Sequence, residues 1–196
     1  MDNIDQAEKS IKATITVLLV LMTLVALTIL TVSAPLSRLM GESPYRLHAA
    51  FHGLFAGIFL VTSTIGFYQA LRLWRGSSMY LADLEIGSVM NAVFCFFTIA
   101  LGNWIYIPYR VSGGPRSYFL ETTPEIHKIF FEFKEFTALF TLPLSVAAAF
   151  IICRYGGKLF SSRPLREMTA LLLVLNFFYF VLAFGLGAAI TKLKSV

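Results

Sequence analysis

Charge is what this sequence has least of: 14% of its 196 residues are Asp, Glu, Lys or Arg, against about 25% in a soluble globular chain. That shortage excludes an ordinary water-soluble domain. Cysteine is nearly missing as well. Cys95 and Cys153 sit inside apolar stretches with no CxxC or Cys/His neighbour, so neither a disulfide framework nor a zinc site is encoded. Histidine is limited to His48, His52 and His127, enough for one bis-histidine haem and no more. The positive balance of +5 is spread along the loops with no basic cluster or arm. This excludes nucleic-acid binding and suits anchoring at lipid headgroups. No polar connection is long enough for a soluble domain, and there is no internal repeat or low-complexity segment.

What is present is hydrocarbon: 57% of the residues are hydrophobic, with 19 phenylalanines among them. A helix needs about 20 residues to cross a hydrocarbon core of about 30 Å. Five apolar stretches are that long, near 13–34, 47–72, 84–108, 127–153 and 167–191. The sequence therefore predicts an all-α integral membrane protein, one bundle of five transmembrane helices, because a helix satisfies its own backbone where lipid offers no partner. The first stretch reads as a retained span. Asp2, Asp5 and Glu8 precede it, and Pro35 follows the small-residue site ending at Ala34, which disfavours cleavage.

Local chemistry marks the span ends. Ser43 and Pro44 suit the start of the second span, and Thr123 and Pro124 that of the fourth. Trp104, Tyr106, Tyr109 and Arg110 form an interfacial belt at the end of the third. Pro143 is a kink site in the fourth. Gly53 and Gly57 make a small-xxx-small pair suited to close helix approach, and Asn176 suits an interhelical hydrogen bond. The connection from Val111 to Pro124 reads as an interfacial loop, with a lid that dips Tyr118, Phe119 and Leu120 into the interface as the alternative. With Lys134 left out, eight Lys and Arg fall on the N-terminal side of the membrane and seven on the other. Arg154, Lys158, Arg163 and Arg166, concentrated in one short loop, tip the expected orientation to a cytoplasmic N-terminus in a cell (inner) membrane.

The fourth span opens with Glu125, His127, Lys128, Glu132, Lys134 and Glu135 before it turns apolar. Counting about 20 residues back from the far end of each span puts His52, Trp104, Tyr106, Glu132, Lys134 and Glu135 level at one membrane boundary. His48, Arg110 and His127 lie just beyond. Such a layer supports three chemistries. In the first, His48 and His127 are axial ligands of one b-type haem, with Arg46, Arg110 or Arg116 facing its propionates. In the second, His52, Glu132 and Glu135 exchange protons with a quinone between Tyr106 and Trp104. In the third, a metal is held by the "HAAFH" pair, His48 and His52, with a span-four carboxylate, or by His48 with His127.

The expected role is a subunit of a respiratory or photosynthetic electron-transport complex that carries a haem or a quinone. Its partners are lipid and other membrane subunits. The competing expectation is a cofactor-free accessory or assembly subunit that packs against a larger complex through its phenylalanines and charged turns.

Overall fold

The computed structural model describes residues 46–77 and 79–194. The predicted span near 13–34, with Ser43 and Pro44, lies outside them. Every regular element among the described residues is helical: α1 (Arg46–Trp74), α2 (Leu81–Arg110), α3 (Pro115–Thr122), a π-helical segment (Ile126–Phe131) running into α4 (Glu132–Tyr155), α5 (Lys158–Ser161) and α6 (Arg163–Leu193). Four helical stretches, Leu47–Trp74, Leu81–Arg110, Ile126–Tyr155 and Arg163–Leu193, are long and apolar enough to cross a membrane. They match the second to fifth predicted spans.

The four pack as an antiparallel ring, α1 against α2 and α6, and α4 against the same two. Phenylalanine fills its centre: Phe55 and Phe59 of α1 meet Phe94 and Phe97 of α2 and Phe180 of α6, with the Phe59 and Phe180 centroids 3.9 Å apart. Lipid supplies no hydrophobic drive between helices, so this close packing holds the bundle. The outward faces carry Val61, Phe150 and Phe178, all exposed as lipid-facing residues should be.

Below the phenylalanines lies a layer of small polar residues. Contacts of Phe59 with Phe180 and of Gly66 with Leu173 set the register that puts Ser63 level with Asn176. Hydrogen bonds from Thr62 to Asn91 and between Cys95 and Thr141 bring Asn91 and Ser145 to the same level. Ser63, Asn91, Ser145 and Asn176, one from each spanning helix, are all buried.

Three expectations about these helices change. The interhelical bond expected of Asn176 is made by Asn91 instead; Asn176 Oδ1 has no hydrogen-bond partner among the described residues. Among the described residues no helix packs on the Gly53 and Gly57 pair, since a Cβ at either would meet nothing of theirs within 4 Å. The interfacial loop contains α3, which folds over the bundle end and buries Phe119 against Tyr109, Phe131 and Ile190. Its turn requires Gly114, where a Cβ would lie 2.7, 2.9 and 3.0 Å from the carbonyl oxygens of Pro108, Val111 and Tyr109.

Candidate functional site

At the end capped by α3, the four spanning helices enclose a cavity of about 430 Å³. The start of α1 contributes His52, the end of α2 Thr98, Gly102, Tyr106 and Tyr109, the start of α4 Lys134 and Glu135, and the end of α6 Gly187. This volume falls within the roughly 300–1,000 Å³ of small-molecule sites. Its wall is mostly apolar, with a few polar atoms whose geometry is set from behind.

His52 is held by α2. Its Nδ1 lies 3.0 Å from the Thr98 carbonyl oxygen, which can only accept, so Nδ1 carries the hydrogen and Nε2 of the uncharged ring keeps a lone pair. The ring brings its Cε1 edge against Gly102, where a Cβ would sit 3.1 Å from His52 Cε1 and 3.5 Å from Nδ1. Glycine at 102 is what makes room for this imidazole. Opposite, Lys134 Nζ pairs with Glu135 Oε1 at 2.6 Å and rests 4.6 Å from the Phe131 ring centre.

The aromatic wall is a stack. Tyr109 and Phe131 are nearly parallel with centroids 4.2 Å apart, and Tyr106 lies beside both at 5.6 Å. Tyr106 and Tyr109 share a face because they are three residues apart on α2. The π-helical segment widens its turn so that His127 and Phe131 are both buried under this stack. Such segments often mark functional positions. His127 Nδ1 is 2.9 Å from Tyr109 Oη, Arg116 Nε donates to His127 Nε2 at 3.2 Å, and Glu132 Oε1 lies 3.7 Å from that nitrogen. Arg110 lies over the Tyr106 ring and donates to its hydroxyl oxygen at 2.6 Å.

The structure thus brings His52, Tyr106 and Glu135 together, with Lys134, in one cavity. Trp104 stands outside it: two residues from Tyr106, it points elsewhere and stacks on buried His48 with centroids 6.1 Å apart and planes 5° apart. Glu132 faces His127 rather than His52. The proposed haem ligands do not line the cavity, and both His127 nitrogens are engaged by Tyr109 and Arg116. Among the described residues no group of three or more His, Cys, Asp or Glu comes together to hold a metal, so the His48 and His52 pair and a span-four carboxylate do not form a three-ligand set.

Three contributors were not among the predicted site residues, namely Thr98, Gly102 and Tyr109, while Arg116, expected near a haem propionate, instead donates to His127. Only Tyr109 carried a readable cue, its three-residue spacing from Tyr106. No protein-family model, curated protein or solved structure matches the chain.

Proposed function

We propose that this protein is a multi-pass subunit of a membrane electron-transport complex and that its end cavity binds the ring of a membrane-soluble quinone. One observation carries the reading: a bundle-end cavity, apolar with stacked aromatics, presents a histidine whose Nε2 is left for a ligand. A quinone ring needs an apolar, aromatic slot, polar groups at its oxygens and a route for protons. His52 and the Glu135 carboxylate supply the polar groups. A redox centre on a partner subunit would exchange the electrons.

Two experiments bear on this. In nanodiscs, His52→Leu is expected to weaken decylubiquinol binding about tenfold, the worth of one buried hydrogen bond. In the parent complex, Glu135→Gln is expected to slow quinone-linked electron transfer with assembly unchanged. Wild-type behaviour of both variants would leave the cavity without this role.

For the membrane orientation we infer a cytoplasmic N-terminus. The end opposite the cavity, which carries Arg72, Arg75, Arg154, Lys158, Arg163 and Arg166, would then face the cytoplasm. A cysteine placed at Ser161, exposed on α5, is expected to resist an impermeant maleimide in intact cells and to react after lysis. Labelling in intact cells would reverse the assignment.

A further inference from the structure

The hydrogen-bonding sense at each end of the cavity is fixed by a group that has no choice, and the geometry points to a site that takes the hydroxyl form of its ligand, a quinol, in preference to the quinone. This rests on the quinone reading above.

At the His52 end, the Thr98 carbonyl takes the Nδ1 hydrogen at 3.0 Å, so Nε2 of the uncharged ring can only accept. A ligand must donate there. At the Tyr109 end, Arg116 approaches His127 Nε2 at 3.2 Å, and a guanidinium can only donate. His127 Nε2 therefore holds the lone pair and Nδ1 holds the hydrogen, which goes to Tyr109 Oη at 2.9 Å. The Tyr109 hydroxyl hydrogen is then not used by His127, and in this scheme it serves a ligand in the cavity that Tyr109 lines. Tyr106 is set in the same sense, because Arg110 donates to its oxygen.

Glu132, 3.7 Å from His127 Nε2, favours the opposite tautomer, and Arg116 decides against it. The other ionisable groups lining the cavity are Lys134 and Glu135, paired with each other, and Lys194, whose ammonium lies 5.3 Å from the Tyr118 ring centre.

A p-quinol matches the hydrogen-bonding sense of both ends: one hydroxyl donates to His52 Nε2, and the other oxygen accepts from Tyr109. A quinone has only acceptors, so one of its oxygens faces the His52 lone pair. His127 and Arg116 touch no ligand in this scheme and are positioning residues.

The test is calorimetric titration of the nanodisc-embedded protein with decylubiquinone and with decylubiquinol under nitrogen. The wild type is expected to favour the quinol about tenfold, the effect of one unmet buried hydrogen bond. Arg116→Met removes the donor, so the His127 proton moves to Nε2 toward Glu132 and Tyr109 becomes an acceptor. Quinone affinity is then expected to fall about another tenfold, while the quinol, which can donate at both ends, stays within about threefold. Arg116→Lys, also only a donor, is expected to keep the wild-type ratio. A purely structural role for Arg116 would weaken both forms alike and overturn the proposal. The ¹⁵N spectrum of His127 needs no ligand and is expected to show the proton on Nδ1; a proton on Nε2 alone in the wild type would overturn it. Binding of both forms without preference would overturn the quinol preference alone. Binding of neither form would remove the quinone reading with it.

Discussion

Gly102→Leu is expected to abolish quinol binding, a loss of roughly a hundredfold or about 2.8 kcal/mol, while the bundle stays assembled. Gly102 lines the cavity, and its Cα hydrogen faces the His52 ring. A Cβ alone would sit 3.1 Å from Cε1, closer than carbon atoms pack at rest. A leucine adds branches that must displace the ring from Thr98 or occupy the ligand's volume. The first misplaces the Nε2 acceptor and the second excludes the ligand, so either removes binding. Gly102→Ala is the graded version: the imidazole has to give by a few tenths of an ångström, and the expected loss is about fivefold. Calorimetry beside thermal unfolding separates the effects, because a helix interior favours alanine over glycine and stability is not expected to drop. Full quinol affinity in Gly102→Leu would mean that the ligand does not sit against His52.

Depth was legible in the sequence and azimuth was not. Counting residues from the span ends put His52, Tyr106 and Glu135 at one level, and they do share the cavity. The same count put Trp104 and Glu132 there too, yet both face elsewhere. Two residues along a helix turn the side chain by about 200°, so Trp104 and Tyr106 could not line one pocket, whereas Tyr109 could join Tyr106. For Glu132 the reason is different. The π-helical turn before it changes the angular step, and nothing in "IHKIFF" encodes that widening by period or propensity. The cavity's hydrogen-bond polarity was equally hidden, since it depends on a backbone carbonyl at Thr98 and on Arg116 reaching back from α3.

Asn176 gives the sharpest contrast in stability. It is buried at 1% exposure, and its Oδ1 has no hydrogen-bond partner among the described residues. Its layer mates are already committed: Ser63 and Ser145 bond back to the Leu60 and Leu142 carbonyls of their own helices, as serines in helices commonly do, and Thr62 donates to Asn91. The amide oxygen thus keeps most of its desolvation cost, roughly 1–3 kcal/mol. Asn176→Leu removes that oxygen at similar volume and is expected to stabilise the nanodisc-embedded protein by about 1 kcal/mol. Asn176→Asp keeps the shape and brings a carboxylate into the membrane interior, where about 2.5–3.5 kcal/mol is the usual cost of an ionised side chain. The layer has few donors to offset it, since the Ser63 and Ser145 hydroxyls would first have to abandon their own helices. Unfolding of the two variants side by side should move in opposite directions from the wild type. If the leucine variant proved the less stable of the pair, the Asn176 amide would have to be partnered in the membrane, and the layer would be a hydrogen-bonded belt with its fourth member in place.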